Sequence, residues 1–283
     1  MKYTTAIVLF LLVLASCQSN SKDQSTESTD IELRPDFSTH FEKCKTGGAI
    51  VIYDYQQRKW IASDSVEIKV ERLPASTFKI INSLILLETG AIRDEDEILH
   101  WPGKTDTLKY GDRPEIYHDM TLREAFQQSA VWAFLDRSEK VGRDIYRKYL
   151  AESGYGNGDL SQTDPDFWNF GTFGASQINT VEFLIRLYEN RLPFSREHME
   201  LVKDIMLTEQ TDDYTIRAKT GWTRENGINL GWWVGYIETS RGLYFFATRL
   251  LQDRKYKTEN FGACRKEITK AVLRDLGIIN SGS

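Results

Sequence analysis

The stretch 73 LPASTFKI 80 places Ser76 and Lys79 three residues apart at the start of an apolar run. On a helix, residues i and i+3 share a face, so the hydroxyl and the amine can touch. Pro74 favours a helix start and puts Ser76 in the first turn, where free amide groups and the helix dipole favour developing negative charge. Phe78, Ile80, Ile81, Leu84 and Ile85 surround the lysine with hydrocarbon, and burial lowers the pKa of an ammonium. A serine beside a neutral amine is an activated nucleophile. The pattern alone is weak, because S-x-x-K occurs again at 19 SNSK 22, in a polar segment. Its company is stronger. The stretch 217 RAKTGW 222 carries K-T-G, the expected strand partner of S-x-x-K. A second copy, 45 KTG 47, precedes the serine in the chain and is set aside. Between the two lies 129 SAVW 132, whose Ser129 taken by itself reads as a turn residue at a helix end.

In the order S-x-x-K, S-x-V, K-T-G, the three motifs resemble the serine-reactive penicillin-recognising enzymes, and specifically the class D (oxacillinase-type) β-lactamases. The middle motif is Ser-Ala-Val here, where class A enzymes carry Ser-Asp-Asn. The stretches 155 YGN 157, 167 FW 168, 218 AKTG 221 and 231 GWWVGY 236 agree, and the resemblance runs from Phe41 to Leu276.

The resemblance implies a role for each matching residue. Ser76 attacks the lactam carbonyl to form an acyl-enzyme. Lys79 is carbamylated by carbon dioxide (N6-carboxylysine) and serves as general base for acylation and deacylation, so bicarbonate is needed although no other cofactor is. Trp168 donates its indole N–H to the carbamate, Val131 flanks it, and Ser129 passes a proton to the leaving nitrogen. The backbone amides of Ser76 and Trp222 form the oxyanion hole. Lys219 and Thr220 line the pocket, Gly221 keeps the strand open to substrate, and Arg265 in 262 GACRKEIT 269 pairs with the substrate carboxylate. Arg249 competes for that last role, but on a strand it is expected to cover a face, and 155 YGN 157 is treated as structural. The sequence departs from the family at Asn169, where an aliphatic residue is usual, and 170 FGTFGAS 176 lacks a basic residue common there. A polar side chain beside the carbamate predicts activity that depends strongly on added bicarbonate. Two other classes share parts of this pattern: β-lactam sensor domains, which acylate without turnover, and cell-wall D,D-peptidases, whose middle motif normally contains Asn.

The elements that must hold these residues follow from periodicity. Residues 48–54 and 58–63 predict a hairpin, as do 231–238 and 243–251 around a Thr-Ser-Arg-Gly turn. Helices are expected at 76–88, 121–128, 144–152, 180–189, 196–206 and 265–276. The fold class is therefore α+β, of the serine β-lactamase/D,D-peptidase type: an antiparallel sheet built from N- and C-terminal strands, with a mostly helical subdomain between them.

Composition sets the outer limits. The 283 residues include 36 basic and 41 acidic side chains, a net charge of −5 that gives no case for nucleic acid. There is no CxxC, HExxH or GxSxG, and His40, His100, His118 and His198 are scattered, so no metal site is expected. Residues 1–16 read as a lipoprotein-type signal ending in LASC, with the lipid on Cys17. Residues 17–30 read as a flexible tether, and 31–283 as the catalytic domain. The expected setting is the bacterial periplasm, with membrane attachment only through that lipid and small-molecule β-lactams as partners. Cys44 and Cys264 could pair there, though spacing alone does not decide it. The sequence is silent on oligomeric state.

Overall fold

Residues 47–54 and 228–253 send successive side chains into two different apolar layers, and this alternation builds the centre of the molecule. The computed structural model describes residues 30–256 and 260–280. The signal segment, Cys17 and the tether before Asp30 lie outside the described residues. The strands are β1 (Ile31–Leu33), β2 (Gly47–Asp54), β3 (Lys59–Ala62), β4 (Ile98–Leu99), β5 (Met120–Thr121), β6 (Leu207–Gln210), β7 (Tyr214–Glu225), β8 (Ile228–Thr239) and β9 (Gly242–Asp253). The helices are α1 (Ser38–Lys43), α2 (Lys79–Glu88), α3 (Thr107–Tyr110), α4 (Leu122–Gln128), α5 (Val131–Val141), α6 (Arg143–Glu152), α7 (Phe167–Phe170), α8 (Gln177–Tyr188), α9 (Arg196–Ile205) and α10 (Phe261–Asp275).

Seven strands form one sheet in the order β1-β3-β2-β9-β8-β7-β6, and β4 with β5 make a small second pair. The N-terminal hairpin thus pairs directly with the C-terminal one, Gly47 opposite Leu251 and Asp54 opposite Tyr244. Neighbouring strands are antiparallel except β1 and β3, which run parallel. The expected antiparallel sheet therefore carries one parallel edge strand, because the chain passes from β1 through α1 into β2 and then returns along β3.

Ile50, Ile52, Trp233, Phe246 and Leu250 face one layer, where Phe261, Ile268 and Val272 of α10 cover them. Ala49, Val51, Val234, Phe245 and Ala247 face the other and join the larger core that includes α2, α5, α8 and α9. With both faces covered, β8 has no solvent side, which is why 231 GWWVGY 236 reads as a continuous apolar run. Helix α2 is buried from Lys79 through Leu87 and forms the axis of the helical layer.

One helix and one boundary differ from expectation. Ser129 closes α4 in the left-handed conformation (φ 60°), where the helix expected at 121–128 ends, and the chain restarts after Ala130 as α5, a helix the sequence reading did not expect. At the C-terminus, α10 begins at Phe261 rather than at Arg265. Burial of Phe261 and a disulfide between Cys44 and Cys264 hold this first turn helical, so Arg265 projects from within the helix. The same disulfide fastens the end of α1 to α10. Among the described residues no helix is long and apolar enough to cross a membrane.

Candidate active site

Ser76 lies in a 3₁₀ turn, Ala75–Phe78, that runs straight into α2. The residue before it, Ala75, has φ 52°, a left-handed conformation that a non-glycine residue adopts only when its surroundings impose it. Thr77 imposes part of it: both its backbone N–H and its hydroxyl donate to the carbonyl of Pro74, at 3.2 and 2.7 Å. The turn aims Ser76 Oγ at Lys79, whose Nζ donates to it at 2.9 Å. Lys79 is wholly buried, 5.2 Å above the ring of Phe134. Burial pulls its pKa down to about 8, with Asp166 partly opposing the shift and Arg113 adding to it.

The indole of Trp168 stacks on Phe78 at 5.0 Å, with 7° between the planes. Its Nε1 is buried and has no hydrogen-bond partner. A buried N–H in that condition is uncommon, and is a donor prepared for an acceptor.

Opposite stands β7. Its pairing on the β6 side ends at Ala218, whose N–H donates to the carbonyl of Met206 at 2.8 Å, so the strand beyond turns its edge to the Ser76 turn. The approach is close: a β-carbon on Gly221 would lie 2.9 Å from the carbonyl oxygen of Pro74 and 3.3 Å from Ala75 Cβ. Only glycine lets the strand edge and the turn meet here, which brings the backbone of Trp222 beside that of Ser76. Lys219 donates to Ser129 Oγ at 2.6 Å and to the carbonyl of Thr220 at 3.2 Å. Burial holds its pKa well below the usual lysine range, and the nearby positive charge of Lys79 and Arg265 lowers it further.

Arg265 reaches back from α10, donating from Nη1 to the carbonyl of Gly221 at 2.6 Å and from Nε to that of Gly262 at 2.8 Å. Arg249, the competing arginine, is fully buried and donates to the carbonyls of Val70 and Glu67 and to the Glu67 carboxylate. It ties the sheet to the segment before the nucleophile. A cleft of about 1090 Å³ opens on Ser76, Ser129, Val131, Thr220, Trp222 and Arg265, so the residues singled out in sequence come together around it. Lys79 and Trp168 lie behind its wall, and Trp222 stands at its mouth, 52% exposed, packed on Phe261 at 5.2 Å. In 155 YGN 157, Tyr155 is buried and Asn157 bonds the backbone of Gly174 and Thr172, a structural brace.

Several residues of the site carried no signal in the sequence. Arg113 lines the cleft and donates to the carbonyl of Gln128 at 3.0 Å, holding the turn from which Ser129 projects. Asp166, fully buried, accepts from Tyr110 Oη at 2.7 Å and from Asn169 Nδ2 at 2.6 Å. Asn169 therefore spends its amide on Asp166, while Thr223 donates to its carbonyl. The bonds of Tyr110 to Asp166 and of Thr223 to Asn169 join segments more than fifty residues apart, and no local pattern marks them.

Comparison with known proteins places this geometry. Residues 42–274 match the family model of the penicillin binding protein transpeptidase domain. The chain is 36% identical over 245 residues to the β-lactamase OXA-2 of Salmonella typhimurium, covering 86% of this chain and 85% of that one. It is 33% identical over 270 residues to the β-lactamase OXA-10 of Pseudomonas aeruginosa, covering 94% and 97%. The crystal structure of a class D β-lactamase from Sebaldella termitidis aligns with a TM-score of 0.83 at 38% identity, over 89% of this chain and 100% of that one. That of FUS-1 (OXA-85), a class D β-lactamase from Fusobacterium nucleatum, aligns at 0.80 and 30% identity, over 88% and 100%.

Proposed function

Because the chain belongs to the class D β-lactamases, within the penicillin-binding transpeptidase family, we propose that it hydrolyses β-lactam antibiotics through an acyl-enzyme on Ser76. The observation that carries this reading is the Ser76–Lys79 pair: hydroxyl and amine 2.9 Å apart, the amine fully buried, and the serine open to a cleft.

A lactam carbonyl set against Ser76 Oγ lies between the 3₁₀ turn and the β7 edge. The backbone N–H groups of Ser76 and Trp222 then face the developing oxyanion, and one such donor typically contributes about a hundredfold in rate. Attack forms the Oγ–carbonyl bond as the Ser76 hydroxyl gives its proton to the basic group at Lys79, and collapse breaks the lactam C–N bond. The leaving nitrogen takes its proton from Ser129, which Lys219 resupplies across their 2.6 Å hydrogen bond. Arg265 offers its charge to the substrate carboxylate. Water then attacks the ester and frees Ser76.

The surroundings of Lys79 fit a carbamate on its Nζ. The amine is desolvated, with a pKa near 8 that leaves a reactive neutral fraction, and the buried N–H of Trp168 lacks an acceptor. Bound there, the group supplies a general base for both acylation and deacylation.

The disulfide between Cys44 and Cys264 supports an oxidising compartment, in keeping with export and attachment through Cys17. The test of the activity is hydrolysis of a chromogenic cephalosporin, in the presence of bicarbonate, by wild type and Lys79→Ala. Steady turnover that vanishes in the variant is the expected result. A stoichiometric burst without turnover would instead mean a sensor or a D,D-peptidase, and no reaction would overturn the reading.

A further inference from the structure

Asp166 precedes the short helix that carries Trp168 and Asn169, and its backbone carbonyl accepts from the N–H groups of Asn169 and Phe170 at 3.2 and 3.3 Å. Its carboxylate is sealed from solvent. Oδ2 accepts from the hydroxyl of Tyr110, at the end of α3 in the cleft wall, and Oδ1 accepts from the amide of Asn169. Among the described residues its one ion pair is a loose one with Lys109 at 4.0 Å, and Lys109 is itself held by Asp164 at 2.6 Å. A clasp between α3 and this turn needs only a neutral acceptor. What a carboxylate adds is charge, buried on the turn that packs Trp168 against Phe78, the residue next to Lys79.

We propose that Asp166 is a positioning residue that sets the carbon dioxide requirement of Lys79, because its carboxylate, buried on the turn that packs Trp168 against Phe78, opposes a second negative charge beside it. The inference rests on the reading that Lys79 is carbamylated. Capture joins the Nζ lone pair to the carbon of carbon dioxide, turns one C=O into an oxyanion and releases a proton from nitrogen to water. The side chain thereby passes from amine to anion, and Asp166 works against both the supply of amine and the charge of the product. Charge on Asp166 and Arg113 reaches Lys79, and charge on Lys79 reaches Lys219; charge on Lys109 and Lys79 reaches Asp166, which has Tyr110 and Asn169 as hydrogen-bond donors. The two arginine and lysine neighbours of Lys79 favour the carbamate, so Asp166 is the group that holds it in check. The strong bicarbonate dependence expected from Asn169 is thereby assigned to the carboxylate that Asn169 serves.

The test is a titration of the purified enzyme with 13C-bicarbonate, read by the carbamate carbon signal in 13C NMR and, in parallel, by turnover after degassing. Near pH 8, Asp166→Asn should lower the half-saturating bicarbonate concentration roughly three- to tenfold. Burial raises the pKa of Asp166 to about 6, so the ratio between variant and wild type should close as the pH falls through that value. Tyr110→Phe keeps the carboxylate but removes a donor to its ionised form, and should move the closing point to higher pH. It serves as the second variant if Asp166→Asn fails to fold. A half-saturation that is unchanged or raised in Asp166→Asn, as loss of a purely structural clasp would give, overturns the inference. No carbamate signal in wild type at saturating bicarbonate overturns the reading of Lys79 as well, so the two failures are distinguishable.

Discussion

Replacing both Cys44 and Cys264 with serine removes the one covalent link between α1 and α10, and the size of its effect follows from where the link lies. The two cysteines are 220 positions apart. For a loop of that length the chain-entropy relation gives about 5 kcal/mol at 25 °C, and measured losses for native disulfides are usually about 2–5 kcal/mol. The local consequence is more specific. Cys264 directly precedes Arg265 and lies in the turn that starts with Phe261, against which Trp222 packs. Loosening that turn frees Arg265 from the carbonyl of Gly221 while leaving Ser76, Lys79 and Lys219 untouched. The double variant should therefore lose about 2–5 kcal/mol in urea unfolding, and at a temperature where it stays folded it should show a raised KM with kcat nearly unchanged. A stability within about 1 kcal/mol of wild type, outside that range, together with an unchanged KM, would refute the assignment of α10's first turn to this link.

Gly221→Ala should lower kcat about a hundredfold by pushing the β7 edge off the Pro74 carbonyl, an effect on the scale of losing one oxyanion donor; burst and steady-state kinetics would show it. Trp168→Phe removes a buried N–H that has no partner, so without bicarbonate its unfolding midpoint should match or exceed that of wild type, whereas its bicarbonate requirement should rise. The folded pKa of Lys79, about 8, lies below its unfolded value of 10.5, so the unfolded chain binds more protons between these two values. In bicarbonate-free buffer Lys79 should accordingly add roughly 3 kcal/mol to a rise in stability across that window, and the rise in Lys79→Met should be smaller than that of wild type by about this amount. Cys17→Ser should move the protein from the membrane fraction to the soluble one, as fractionation of cells would reveal.

What could be seen in the sequence was what lies within one turn or one strand. Ser76 and Lys79 are joined by helix spacing, and Lys219 to Trp222 are consecutive on one strand, so their chemistry was local. The β8–β9 hairpin was legible because its turn is short and both arms are strongly apolar. The end of α4 was legible but α5 was hidden, since it restarts only two residues later, after a left-handed serine rather than after glycine or proline. The start of α10 was placed four residues late because Gly262 reads as a poor helix former, and it is tertiary packing of Phe261 and Cys264 that holds it. At the site, Tyr110 and Arg113 act only across elements, and the carboxylate of Asp166 does so in all but its bond to Asn169. An isolated Asp before Phe-Trp has no periodicity to betray it.

The strand order also dictates when the molecule can exist. Strand β2 sits between β3 and β9, and its inner partner, Gly242–Asp253, is the last strand of the sheet in chain order. Until those residues emerge, the N-terminal hairpin has an open apolar edge and nothing to close it, and neither the Ser76 turn nor the β7 edge has its scaffold. Folding dominated by such distant pairings is slow. A chain cut short before β9 would not be a weaker enzyme. It would be an aggregation-prone fragment with no sheet to stand on.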